Sequence, residues 1–156
     1  MIAVGRVLLK EGPSLSESND SFIPDSRISL LWQDMTNTSF PSESMSLVSI
    51  SLVLHELPSQ PTVATLTEAY RLLKPGGVLV ISEMDPSTPD FIKLRSSPVI
   101  LILKSTEPYL DEYFQIANKL PVILQNIGFD SVRIGKATNR HMTILAIKSG
   151  ILDLRI

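Results

Sequence analysis

The sequence predicts one α/β domain built on a parallel sheet, and three observations carry that prediction. Residues 46–85 read as strand, helix and strand in succession. The segment Lys74-Pro75-Gly76-Gly77 punctuates the return from helix to strand, and residues 132–137 and 142–148 read as a closing antiparallel pair around Asn139. Length and composition agree with a single unit, since 156 residues of 44% hydrophobic content can bury one core.

Within the central unit, Leu47, Val48, Ile50, Leu52, Val53 and Leu54 form an apolar run with no helical stripe, as suits a strand buried on both faces. Pro58 and Pro61 end it. Pro61 is placed to open a helix in which Val63, Leu66, Ala69, Tyr70 and Leu73 share one face. Proline cannot continue that helix, and the glycines supply left-handed backbone for the turn into a second buried strand at residues 78–81. Two parallel strands joined by a helix make a right-handed crossover.

The same stretch carries a family likeness. Phe40-Pro41, Leu47-Val48-Ser49, His55-Glu56-Leu57-Pro58 and Leu72-Leu73-Lys74-Pro75-Gly76-Gly77-Val78-Leu79 together resemble the middle of a class I S-adenosylmethionine-dependent methyltransferase. The resemblance implies a truncated Rossmann-like fold, with parallel strands, a C-terminal antiparallel hairpin and the sheet order 3-2-1-4-5-7-6. It implies S-adenosylmethionine as cofactor and a methyl acceptor, small molecule or protein, that the sequence does not identify. Residues 1–150 then form a partial methyltransferase domain in which Met1 matches an internal position, residues 11–26 are a flexible loop and residues 151–156 a tail. No glycine-rich turn precedes the central unit, and Ser46 stands where the family has an aspartate. Binding of the cofactor by this chain is therefore expected to be weak or absent.

Site residues follow from the resemblance and from position in the sheet. Asp34 matches the acidic residue that accepts from the adenine amino group, with Met35 packing on the ring; the other reading of Asp34 is a local turn cap. His55 and Glu56 follow the carboxyl end of a strand, where ligands sit in open α/β sheets, and are the catalytic candidates. A histidine there can take a proton from the acceptor, or be a loop histidine bonded to backbone. Glu83 and Asp85 end the next strand at the same edge and are expected on the substrate side, or as a solvated rim. Tyr70 and Lys74 have the Tyr-x-x-x-Lys spacing of short-chain dehydrogenases, but the lysine abuts the helix-ending proline and no G-x-G-x-x-G is present.

Outside this unit the pattern is weaker. Residues 1–10 form a short apolar segment that is expected to be helical, and residues 27–32 a strand. With the family's first two strands missing, residues 28–32 are expected either to move in beside residues 47–52, or to leave an edge through which the chain self-associates. Residues 89–104 are expected to be helical despite Pro98. Thr106-Glu107-Pro108 reads as the cap of a further helix carrying Tyr109, Leu110, Tyr113, Phe114 and Ala117 on one face, a stripe that belongs to the core. Residues 121–127 form a last helix stopped by Gly128.

Composition sets the remaining bounds. A net charge of −2 without a basic run argues against a nucleic-acid partner, and no apolar run approaches the ~20 residues of a membrane span. With no cysteine there is no disulfide framework, and two histidines are too few for a zinc site. No secretory signal is visible, so a cytoplasmic location is the expectation, and the sequons at Asn19 and Asn37 are taken as coincidental. Two functions remain: methyl transfer, or a non-catalytic methyltransferase-like remnant serving as a binding or assembly module.

Overall fold

A computed structural model describes residues 3–7 and 28–150. The expected loop at residues 11–26 and tail at residues 151–156 lie outside the described residues. Four strands, β3 (Met45–Ser51), β4 (Leu73–Met84), β5 (Phe129–Lys136) and β6 (His141–Lys148), form one sheet in the order β3-β4-β6-β5. β3 and β4 are parallel, while β6 runs antiparallel to both its neighbours. With β3 and β4 taken as the family's fourth and fifth strands, this is the 4-5-7-6 half of its sheet.

The crossover between β3 and β4 is helix α1 (Ser59–Leu72), with Pro61 inside its first turn, where the missing N–H is not needed. Leu66, Ala69 and Leu73 are buried as the periodicity predicts, but Val63 is 40% exposed and lies outside the buried stripe. The last carbonyls of α1 have no helical partners and are met from elsewhere. Lys148 Nζ donates to Tyr70 O at 3.1 Å and Leu73 O at 2.8 Å, and the Glu43 N–H donates to Arg71 O at 2.9 Å. The chain then turns at Gly76, whose φ of +76° is left-handed, and the Lys74–Gly77 segment is accommodated as a register shift in the β3–β4 ladder.

After β4 come α2 (Pro89–Arg95), α3 (Val99–Thr106), α4 (Leu110–Ile116) and α5 (Leu120–Ile127). The helix expected across residues 89–104 is thus two, broken before Val99 because Pro98 lacks the N–H that a continuous helix would use. Thr106 ends α3 and caps nothing: its hydroxyl donates back to Leu103 O, and α4 begins after Tyr109 without a side-chain cap. Leu110, Tyr113 and Ala117 enter the core, while Tyr109 is 37% exposed. Gly128 stops α5 at φ +123°, where a side chain would meet the Tyr70 hydroxyl at 2.9 Å.

Two expectations for the N-terminal segment are corrected. Residues 3–7 form a strand, β1 (Ala3–Val7), where a helix was expected, and it pairs antiparallel with β2 (Ile28–Trp32). An apolar run this short suits either state, and an available pairing partner decides it. For the same reason β2 does not join β3: its hydrogen bonds go to β1 in a separate two-stranded ladder. β3 remains an edge of the four-stranded sheet, with Leu47 58% exposed. None of the described helices is long and apolar enough to cross a membrane.

Candidate active site

At the carboxyl end of β3 the chain makes a sharp turn. Leu52 adopts φ +52°, a left-handed conformation that costs a non-glycine residue roughly 1–2 kcal/mol. The turn aims two consecutive N–H groups at the neighbouring strand, and what they meet is Glu83. Leu79, Ile81 and Glu83 alternate onto the inward face of β4, so this carboxylate is fully buried. Its Oε2 accepts from Val53 N at 3.1 Å and Leu54 N at 2.8 Å; its Oε1 accepts from Met84 N at 2.9 Å and lies 2.6 Å from His55 Nδ1. A buried carboxylate persists only with such partners.

His55 stands in a short 3-10 turn (Leu54–Glu56) and is itself buried. A carboxylate can only accept, so the contact with Glu83 fixes a proton on Nδ1 and turns Nε2 away from the sheet. Nε2 faces Glu107 Oε2 at 3.7 Å and Glu56 Oε1 at 4.0 Å. Burial pulls the imidazole pKa down, but the hydrogen bond and charge of Glu83, then the charges of Glu107 and Glu56, outweigh it and leave the value above 6.5. The ring also sits edge-on to Tyr113, whose hydroxyl donates to Met84 O. Burial, with the charges of Glu83 and Asp85, raises that phenol far above its ordinary range, so Tyr113 acts as a fixed donor.

The expected mouth of four residues is therefore divided. His55 and Glu83 are a buried pair, where the substrate side or a solvated rim was expected for Glu83, because the β4 alternation carries Glu83 inward. Glu56 is on the surface, its side chain 60% exposed. Asp85 is turned aside: its Oδ1 accepts from the Ser87 N–H and hydroxyl, closing the turn before α2.

Asp34 and Met35 lie elsewhere, in a groove of about 560 Å³ lined also by Trp32, Gln33, Thr36, Leu57 and Pro61. Asp34 is exposed, and its Oδ1 accepts from Thr36 N at 2.9 Å and Thr36 Oγ1 at 2.8 Å, bonds that lower its pKa. A turn cap and a groove wall are thus the same residue. The loop that follows is fastened to α1 by an ion pair. Glu68 accepts from Thr38 N and Oγ1 and from Arg71, and Arg71 Nη2 donates to Phe40 O at 2.8 Å. Sequence reasoning had no signal for this clamp.

The groove permits a test of fit. Its volume lies within the ordinary range for small-molecule sites, about 300–1,000 Å³, and its apolar walls with one carboxylate suit the adenine end of S-adenosylmethionine. For the ribose and methionine ends the fit fails. Among the described residues the lining holds no second carboxylate.

Known proteins resemble the chain in sequence and in fold. A family model described as a methyltransferase domain matches residues 12–81. Ubiquinone/menaquinone biosynthesis C-methyltransferase UbiE from Neisseria meningitidis serogroup B is 30% identical over 76% of this chain and 51% of its own length. Carboxy-S-adenosyl-L-methionine synthase of Actinobacillus succinogenes is 27% identical over 83% and 58%. The chain thus spans about half the length of the curated relatives it matches. Among solved structures, human N-acetylserotonin methyltransferase in complex with its cofactor superposes with a TM-score of 0.53 at 21% identity, covering 82% of this chain and 36% of that one. By sequence match, strand order and the turn at residues 74–77, the chain is similar to the class I S-adenosylmethionine-dependent methyltransferases.

Proposed function

We propose that this chain supplies the acceptor side of a methyl-transfer site, with His55 as the group that takes the acceptor's proton. The observation that carries this is the 2.6 Å contact between His55 Nδ1 and the buried Glu83 carboxylate. It holds the imidazole in the tautomer whose Nε2 lone pair is available, and raises its basicity toward working pH. S-adenosylmethionine, when bound, supplies an electrophilic methyl group. His55 Nε2 would receive the proton of an acceptor heteroatom, and Glu83 would steady the resulting imidazolium. Tyr113 and the cover of α4 exclude water.

Labelled methyl transfer, measured at millimolar S-adenosylmethionine over a panel of hydroxyl and amine acceptors, tests the assignment. His55→Ala is expected to lower transfer about 10²–10⁴-fold; undiminished transfer in that variant would remove His55 from the reaction. The single carboxylate that the described residues give the groove favours a second reading, a binding or assembly module without turnover, and absence of transfer at saturating cofactor would select it.

Affinity for the cofactor is expected to be low. Hydrogen bonds to a charged group are worth about 1.5–3 kcal/mol each, so the two that a ribose-binding carboxylate would make amount to roughly 3–6 kcal/mol, on the order of a hundred- to ten-thousand-fold in Kd. We expect a millimolar or weaker constant by calorimetry, with no detectable change in Asp34→Ala. A micromolar constant weakened by that substitution would reverse this conclusion.

The open edge of β3 supports self-association as a further part of the reading. Light scattering is expected to show a mass that grows with concentration; a constant monomer mass would dismiss it.

A further inference from the structure

The three carboxylates around His55 are graded in exposure. Side-chain exposure is 0% for Glu83, 19% for Glu107 and 60% for Glu56, so the centre opens outward past Glu107 and Glu56. Glu107 stands at the junction of α3 and α4, and its Oε2 is buried without a hydrogen-bond partner among the described residues. An unsatisfied buried carboxylate oxygen is uncommon and calls for a ligand or water. That oxygen faces His55 Nε2 at 3.7 Å, beyond hydrogen-bond length. With the Nδ1 proton held by Glu83, Nε2 is also an acceptor. Two acceptors thus confront each other across a gap that neither can close.

We infer that Glu107 determines acceptor specificity at this site, and that the acceptor class is a primary amine, whose nitrogen bridges His55 Nε2 and Glu107 Oε2. The inference rests on the reading of His55 as proton acceptor. A hydroxyl carries one proton and satisfies one of the two acceptors, whereas an amine nitrogen carries at least two and satisfies both. Charge points the same way. Glu56, Glu83 and Glu107 surround one imidazole, and a carboxylate or phosphate on the acceptor would meet them with like charge. Burial raises the Glu107 pKa, opposed by His55 and supported by the Glu56 and Glu83 charges, as befits a carboxylate lacking its cation. The amine arrives as an ammonium and gives one proton to His55 Nε2, which frees the lone pair that would be the nucleophile; Glu107 Oε2 accepts from a remaining N–H.

The experiment is a nuclear magnetic resonance titration of the full chain with butylamine, 1-butanol and butyrate. The chain has only two histidines, so His141, at the start of β6 and bonded to Thr138, is an internal control. Butylamine is expected to shift the His55 Cε1–H resonance and leave His141 unmoved, with butanol and butyrate at least ~10-fold weaker, the scale of one carboxylate–ammonium contact. Glu107→Gln should remove that preference while the free-state titration of His55 stays raised; should Glu107→Gln fail to fold, Glu107→Ala gives the same reading. Equal shifts by amine and alcohol, no shift by butylamine, or an unchanged preference in the Glu107 variant would overturn the inference. The base assignment fails separately, if His55 titrates identically in wild type and Glu83→Gln.

Discussion

Replacement of Glu83 by alanine is expected to lower folding stability by about 3–5 kcal/mol, the cost of leaving several buried donors without their acceptor. Three backbone N–H groups, of Val53, Leu54 and Met84, would lose their acceptor together with His55 Nδ1. Against a typical total of about 5–15 kcal/mol this is a large fraction, and the urea midpoint should fall accordingly. Glu83→Gln is the sharper probe. Its amide offers one acceptor oxygen to the Val53 and Leu54 donors, and its NH2 turns toward His55, driving the imidazole proton from Nδ1 to Nε2. Stability should drop by a smaller amount, about 1–3 kcal/mol, while the lone pair needed for proton transfer disappears. A midpoint unchanged in Glu83→Ala would mean that water replaces the carboxylate without loss.

The pair also sets a pH dependence. The folded-state pKa of His55 lies above its unfolded value of 6.5, so its contribution is full below 6.5 and is lost as pH rises through the folded value. Glu68 behaves oppositely. The hydrogen bond from Arg71, opposed by burial and helped by the Thr38 donors, lowers its pKa; its contribution is present above 4.5 and is lost as pH falls through the folded value. Chemical denaturation across pH should decline on both sides, and in Glu83→Gln the decline above neutrality should flatten while the acid limb persists.

The second large effect concerns Lys148. Its stem is buried beside the Tyr70 ring, with Nζ 4.6 Å from the ring centre, and the ammonium caps α1 through the carbonyls of Tyr70 and Leu73. The contact with Glu43 is longer, 3.4 Å, and that carboxylate is mostly exposed, so it adds little. Lys148→Met keeps the stem's volume and removes the donors. Leaving two carbonyls unpaired beside a helix terminus should cost about 2–4 kcal/mol in urea denaturation. A loss below about 0.5 kcal/mol would show that solvent reaches those carbonyls.

The parts that the sequence announced were those with local punctuation. The proline pair before α1, the proline–glycine turn after it and the glycine before β5 each state a backbone conformation, and the elements between them were placed within a few residues. The burial of Glu83 was legible too, for it continues the alternation of Leu79 and Ile81, although a carboxylate at a strand end reads first as facing a substrate or solvent. The remaining features depend on distant chain. β1 could not be told from a helix until its partner was known. Lys148 ends a strand as an ordinary polar residue does, and nothing nearby says that it caps a helix 75 residues earlier. Glu107 looked like part of a cap because Thr-x-Pro often is one, and only the packing of α4 on the turn at Leu54–Glu56 brings it to His55.

The place of β6 in the sheet bears on how the chain reaches this structure. β4 and β5 share no hydrogen bonds, and both are held by β6, which follows them in the chain. A chain emerging from the ribosome therefore cannot close its sheet until residues 141–148 are free, and until then α1 also lacks its terminal lysine. Such late, long-range closure slows folding, because loop entropy is lost before the contacts that offset it are made. In kinetic terms, substitutions at Ile144 and Ala146, which are fully buried in β6, should act mainly on the folding rate, and those in α1 on the rate of unfolding, provided that strand insertion is the barrier.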